Sequence, residues 1–189
     1  MLDLKFGPFP VLETNRLQLR SLGPQDAGRL FAIRSNDFVI KYLGRPKPEQ
    51  IGEIEELIEK IRLDYENSVG IAWAITAKDT GLLIGTVGFW RIDRQNHRAE
   101  IGYLFHPDFW GQGLASEALL AVVPFGFNQL RFHSVEANVD PLNEASKRLL
   151  QRFGFVQEGY FRENYYFDGR FLDSAIFSLL AKEYRGIGR

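Results

Sequence analysis

The sequence predicts an α+β fold, a mixed and mostly antiparallel central sheet flanked by helices. Three observations carry the prediction. Apolar residues alternate with period two through 16–20, 71–77, 82–92 and 99–105, as in half-buried strands. They recur at three- and four-residue spacing across 27–34, 51–61 and 115–128, as on helices with one buried face. Turn residues stand between these blocks, at Gly23-Pro24, Lys78-Asp79-Thr80-Gly81, Gly154 and Asp168-Gly169. Helices packed on a sheet is the simplest arrangement that covers so many apolar faces.

The elements follow in order. Residues 16–20 (RLQLR) read as a short strand. Gly23-Pro24 opens a helical pattern with Ala27, Leu30, Phe31 and Arg34 on one face. A second helix follows Pro48, with Ile51, Ile54, Leu57, Ile58 and Ile61 inward and Glu53, Glu55, Glu56 and Glu59 on a solvated face. Residues 71–77 and 82–92 form a hairpin across 78–81. A polar loop at 93–98 precedes the strand 99–105 (AEIGYLF). A helix spans Ala115 to Asn128, with Pro124 expected to kink or shorten it. A strand is expected over 131–139, then a helix over 143–153, with Asn143 as N-cap and Gly154 as its stop. A hairpin of 160–167 and 171–180 turns at Asp168-Gly169 and closes the chain.

Composition narrows the function classes. The 189 residues suit one domain spanning 1–189, with 45% hydrophobic and 25% charged residues. A formal net charge of -1 leaves no whole-chain footprint for nucleic acid or an anionic membrane. With no cysteine, the chain has neither a thiolate nucleophile nor a cysteine-ligated metal site. His97, His106 and His133 lack metal-ligand spacing, so no metal is expected. No signal peptide and no run of roughly 18 apolar residues is seen, and the expected location is the cytoplasm.

The chemistry concentrates in 99–118, AEIGYLFHPDFWGQGLASEA. A strand ends at Phe105, and Gly111-Gln112-Gly113-Leu114-Ala115 opens a helix. Free amides and the positive dipole end at a helix start form an anion site. A pyrophosphate fits on the amides of residues 111 to 116. The P-loop pattern is absent because no Lys follows Gly113, and the dinucleotide pattern GxGxxG fails because its third position is Ser116. On these residues alone, a plain glycine-containing helix start is an equal reading.

HPDFWGQGLASEAL resembles the signature of the GNAT acetyltransferase superfamily. That family's (Gln/Arg)-x-x-Gly-x-(Gly/Ala) loop falls on Trp110-Gly111-Gln112-Gly113-Leu114-Ala115. Trp110 departs from Gln or Arg in the way typical of the branch that includes the ribosomal-protein alanine and serine N-acetyltransferases. LETNRLQLR (12–20) resembles that branch's opening strand, and Phe38–Leu43 its segment between the first two helices. AEIGYLF resembles its central strand, NVDPLNEASKRLLQRFGFVQEG (138–159) its Asn-x-x-Ser helix and the residues beyond, and DGRFLDSAIFSLL (168–180) its closing hairpin.

The resemblance implies an acetyl-CoA-dependent N-acetyltransferase that works by direct attack of an amine on the thioester. The loop residues Trp110, Gly111, Gln112, Gly113, Leu114, Ala115 and Ser116 would take the pyrophosphate. The strand ending at Leu104-Phe105 would splay from 131–139. The backbone of Leu104 and Phe105 would meet the pantetheine arm, and one amide the thioester oxygen. Asn138 and Asn143 carry amides able to bond that arm, although Asn143 also serves as a cap. Ser146 is the candidate general acid, replacing the Tyr common elsewhere in the superfamily; its competing reading is an ordinary first-turn residue. Glu100 is the candidate general base because alternation places it on the strand face of Gly102 and Leu104. Its competing reading is a solvated or ion-paired strand carboxylate. Tyr42, Tyr165 and Tyr166 are candidate walls of the acceptor cleft, while Trp73, Phe89 and Trp90 are assigned to the core.

The acceptor expected from the branch is a protein N-terminal amine, such as that of a ribosomal protein. A small amine such as a polyamine, amino acid or antibiotic is the alternative. A non-catalytic acyl-CoA-binding module would keep 110–116 but lose the groups around the thioester, whereas Glu100, Asn143 and Ser146 are all present. A pure interaction domain leaves the glycine loop unexplained. The protein is expected as a monomer or homodimer with no nucleic-acid or membrane partner.

Overall fold

Residues 12–20 make two strands rather than one. In the computed structural model, which describes residues 1–186, β1 (Leu12–Glu13) and β2 (Leu17–Ser21) pair antiparallel about a turn at 14–16. The Thr14 hydroxyl accepts from the Leu17 amide at 2.9 Å and fixes that turn. A 3-10 turn at Pro24–Asp26 leads into α1 (Ala27–Arg34), where Ile33, not Arg34, completes the buried face with Ala27 and Leu30. The connection to the next long helix holds a further one-turn helix, α2 (Asp37–Ile40), capped by Asn36, whose side chain accepts from the Phe38 amide at 3.0 Å. Helix α3 (Ile51–Glu66) buries Ile54 and Ile58 and turns its acidic residues to solvent.

Strands β3 (Ile71–Ala77), β4 (Leu83–Asp93) and β5 (Arg98–Phe105) form an antiparallel meander. Helix α4 (Leu114–Asn128) continues four residues beyond Pro124, so the proline does not end it. The carbonyl that Pro124 leaves without its helical partner belongs to Leu120, an exposed residue. The next strand, β6, begins only at Ser134 and ends at Val139. Residues 131–133 belong to the return from α4, with Arg131 at φ 60° and the Phe132 amide on the Gly126 carbonyl at 3.1 Å.

Helix α5 (Glu144–Arg152) ends as its sequence requires. Gly154, at φ 88°, donates to the Gln151 carbonyl at 3.0 Å, and Phe155 to the Leu150 carbonyl at 3.1 Å. Both bonds belong to a glycine-terminated helix end of the Schellman type. Strands β7 (Val156–Phe167) and β8 (Arg170–Leu180) form the closing hairpin, and β7 starts four residues earlier than the sequence pattern indicates. Asp168 and Gly169 both have positive φ, 50° and 75°, the geometry of a two-residue type I′ turn.

Among the described residues eight strands form one sheet in the order β1-β2-β3-β4-β5-β6-β8-β7. All neighbours are antiparallel except β5 and β6. Trp73, Ile101, Phe105 and Val135 join Leu119, Val122 and Leu150 in the larger core, on the face covered by α4 and α5. Ala74 and Leu104 project to the opposite face and pack with α1, α2 and α3 in a smaller cluster. The two helical layers therefore sit on opposite sides of β5. Among the described residues no helix is long and apolar enough to cross a membrane.

Candidate active site

The parallel pair β5–β6 is short. Arg98, Ala99 and Glu100 pair with Ser134, Val135 and Glu136, after which β5 runs on to Phe105 and β6 to Val139 without pairing. The strands part like a fork with Glu100 and Glu136 side by side at its vertex. A parted pair leaves a row of backbone donors and acceptors without strand partners, which an extended ligand can occupy. The Leu104 carbonyl is turned against Gly85 of β4. Since backbone polar groups alternate along a strand, Tyr103 and Phe105 present theirs to the fork. The Phe105 carbonyl already accepts from the Trp110 indole N–H at 2.9 Å.

Beyond Phe105 the chain makes a 3-10 turn at Pro107–Phe109 and then two left-handed residues, Gly111 at φ 72° and Gly113 at φ 76°. Glycine takes this conformation without a Cβ penalty, and positive φ in such a turn curls amides toward one side. The Glu117 amide donates to the Gly113 carbonyl at 3.0 Å; among the described residues the amides of residues 111–116 meet no protein acceptor. Open space surrounds the position a Gly111 Cβ would take. The side-chain amide of Gln112 donates to the Asp108 carbonyl at 2.7 Å. The side-chain N–H groups of Trp110 and Gln112 thus help close the loop, though both side chains stay exposed, and among the described residues the backbone amides of 111–116 are left free. Leu114 is buried and anchors the helix.

The two catalytic candidates reach the fork from opposite faces. Glu100 lies on the α1–α3 face and is mostly covered, with Arg91 Nη1 donating to its Oε2 at 2.8 Å. A bulge in β4 between Trp90 and Asp93, with Arg91 at φ 48°, accompanies this pairing. Arg98 similarly holds Glu136. These four side chains, with Asp93 and Ala99, line an open recess of about 190 Å³. Trp90 is not a core residue: it is 37% exposed and its ring covers Gly102, between Glu100 and Leu104. The absent side chain at 102 is what lets the indole lie on the strand. Sequence alternation alone could not distinguish this packing from burial. A larger recess, about 570 Å³, lies along the outer edge strand β7 rather than at the fork.

Ser146 lies in the first turn of α5, on the α4–α5 face. Its amide donates to the Asn143 side chain at 3.0 Å, so the Asn143 oxygen is engaged as a cap. Its hydroxyl is 2.7 Å from the Tyr103 hydroxyl. Burial pushes the Tyr103 phenol up to about 12, against the opposing effect of the Ser146 bond. The sequence pattern assigns Tyr103, the neighbour of the candidate acid Ser146, to no role, because it alternates with Ile101 and Phe105 as a core residue would. Asn138 is exposed and flanked in β6 by buried Ala137 and Val139, which turns it to the face opposite Ser146.

The α2–α3 connection and the closing hairpin, which carry the candidate acceptor-cleft tyrosines, are joined where the Tyr165 hydroxyl donates to the Gly44 carbonyl. Leu43 packs on the same cluster as Leu104. Tyr165 and Tyr166 are consecutive in register and face opposite ways; Tyr166 packs on Phe171 instead of facing Gly44. Tyr42 is half-buried beneath Lys41 Nζ, 5.1 Å from its ring centre. Among the described residues no three His, Cys, Asp or Glu side chains are grouped to hold a metal ion.

A family model described as an acetyltransferase (GNAT) domain matches residues 16–156. The N-acetyltransferase YoaA of Bacillus subtilis (strain 168), itself uncharacterised, is 41% identical over 91% of this chain and 97% of its own length. YdaF of the same organism, named as a putative ribosomal N-acetyltransferase, is 29% identical over 94% of this chain and 98% of its own. The crystal structure of a spermidine N-acetyltransferase from Vibrio cholerae, in complex with CoA and spermine, superposes with a TM-score of 0.80. It is 24% identical, over 90% of this chain and 99% of that one.

Proposed function

Since the chain belongs to the GNAT acetyltransferase family and is an acetyl-CoA-dependent N-acetyltransferase, we propose that its acceptor is the N-terminal amine of a protein. The observation that carries the cofactor assignment is the run of unbonded amides at residues 111–116, set at the open end of the β5–β6 fork. It offers donors to a pyrophosphate at one end and unpaired strand backbone to an extended pantetheine arm at the other.

In this reading the amine attacks the thioester directly and a tetrahedral oxyanion forms. A backbone amide of β5 facing the fork, at Phe105 or Tyr103, donates to it. Fixed backbone donors suit this task because they need no reorganisation as charge develops. Glu100 receives the amine proton. Its Cα lies four residues from that of Leu104, roughly 13 Å along a strand, so the proton crosses by water over the Trp90–Gly102 surface. On the opposite face Ser146 donates to the departing sulfur, and Tyr103 donates to Ser146. A thiol titrates near 8.5, roughly, well below Tyr103 at about 12. The pair therefore stabilises the thiolate by hydrogen bonding rather than by giving up its proton.

The acceptor side supports a peptide over a polycation. Lys41 and Arg45 lie in the α2–α3 connection with Arg34 beside Arg45, whereas the Lys47 ammonium there is paired with Asp37. Burial, with the like charge of Arg45 adding to it, lowers the Arg34 guanidinium below its ordinary value. Polyamines would meet repulsion there. Acetyl-CoA turnover measured against peptides with free N-termini and against spermidine, amino acids and aminoglycosides tests the assignment. Mass spectrometry should place the acetyl group on the peptide α-amine. Faster turnover of any small amine than of every peptide overturns it.

A further inference from the structure

The first turn of α4 holds a carboxylate, Glu117, where the cofactor reading above requires an anion to bind. An uncompensated negative charge there opposes a second one. Glu117 is 16% exposed and fully engaged by the β1–β2 turn, about a hundred residues earlier in the chain. Its Oε1 accepts from the Thr14 hydroxyl at 2.6 Å and the Arg16 amide at 2.7 Å, and its Oε2 accepts from Arg16 Nε at 2.7 Å. Burial alone would push its carboxyl up, but the bonds from Thr14 and Arg16 outweigh it and hold it below the ordinary value.

Arg16 does more than neutralise Glu117. Its Nη1 donates to the Gln112 carbonyl at 3.0 Å, tying down the residue between the two left-handed glycines. Its Nη2 lies 3.7 Å from the position a Cβ on Gly113 would occupy, and among the described residues it meets no acceptor. The side chain is 53% exposed, so this edge of the guanidinium is open to a ligand on the loop.

Resting on the acetyl-CoA reading of residues 111–116, we propose that Arg16 is a positioning residue of the cofactor site. It cancels the Glu117 charge, holds the Gln112 carbonyl away from the anion, and presents its remaining N–H groups toward the pyrophosphate. The β1–β2 turn is thereby part of the cofactor site.

Calorimetric CoA binding and melting temperature should be measured for Arg16→Ala, Arg16→Lys, Glu117→Gln and the double variant Arg16→Ala/Glu117→Gln. Arg16→Ala should weaken CoA by about tenfold or more, since it leaves the Glu117 charge uncompensated beside the anion although the Thr14 hydroxyl and the backbone amide of residue 16 still bond it. The double variant should recover much of that loss, and Arg16→Lys should fall between, keeping the charge without the forked geometry. The Arg16→Ala defect should shrink in 1 M salt and vanish for acetyl-pantetheine, which lacks the pyrophosphate. Damage to the fold alone would instead lower the melting temperature most in the double variant, with no recovery of CoA affinity. CoA affinity within twofold of wild type in Arg16→Ala, or a double variant as weak as Arg16→Ala, overturns the proposal. Gly113→Val separates the two readings: if it leaves CoA binding intact, the loop assignment itself fails. If it abolishes binding while Arg16→Ala does not weaken it, only the role of Arg16 fails.

Discussion

Tyr103 and Ser146 join the central strand to helix α5 through hydroxyls 2.7 Å apart, on the face of the sheet opposite Glu100. The fork is therefore served by a hydrogen-bond donor from one side and a carboxylate from the other. In addition–elimination at a thioester the amine adds to one face of the carbonyl and the sulfur departs from the tetrahedral intermediate, so a proton acceptor for the amine and a separate donor for the sulfur are both of use.

Ser146→Ala should lower turnover by about a hundredfold and leave CoA affinity nearly unchanged, because the demand arises only as charge builds on sulfur. Tyr103→Phe should give a smaller loss, about tenfold, since Ser146 remains but loses its own donor. Single-turnover acetyl transfer beside calorimetric CoA binding checks both. Full turnover in Ser146→Ala reduces the residue to a part of the helix's first turn.

The raised Tyr103 phenol also makes a stability prediction. Its folded value, about 12, lies above the roughly 10 of an unfolded tyrosine. The protonated form thus favours the fold fully below pH ~10, and that contribution disappears as pH rises through the folded value. Denaturant midpoints followed from pH 9 upward should fall more steeply in the wild type than in Tyr103→Phe.

Glu100→Gln preserves shape and removes proton acceptance. It should depress the rising limb of the pH–rate profile while CoA binding stays intact, after correction for the acceptor's own ionisation. An unaltered profile would mean that the amine loses its proton to solvent and that Glu100 serves only its Arg91 pair.

Gly102→Ala places a methyl group into the Trp90 ring. The indole must leave the strand, so acceptor KM should rise while CoA affinity is kept and Trp90 fluorescence shifts as its exposure grows. Unchanged acceptor KM would remove Trp90 from the path between Glu100 and the acyl group.

Gly113→Val should abolish CoA binding with the fold retained. A Cβ there finds space, with Arg16 Nη2 as its nearest neighbour at 3.7 Å, so the defect comes from φ 76° and not from a clash. A β-branched residue in that conformation costs on the order of 1–3 kcal/mol, which moving the loop relieves.

The sequence by itself determined the parts whose signals are local. Period-two and period-3.6 patterns placed β3 to within a residue and located α3, α4 and α5, because burial on one face repeats with the backbone's own geometry. Asn143, Gly154 and Asp168-Gly169 marked their helix ends and turn, since each supplies a conformation or cap that few other residues do. The loop at 111–116 was legible for the same reason. What only the tertiary structure decided are relationships between distant segments and the direction of individual side chains. No local pattern links Arg16 to Glu117, sets Tyr103 against Ser146, or lays Trp90 on Gly102. Alternation gives the face of a strand but not what waits there, so it cannot tell Trp90 lying on Gly102 from a core tryptophan, nor single out Tyr103 beside Ser146. The parting of β5 from β6 after Glu100 depends on how both faces of the sheet are packed, and neither strand's own sequence encodes where its neighbour leaves it.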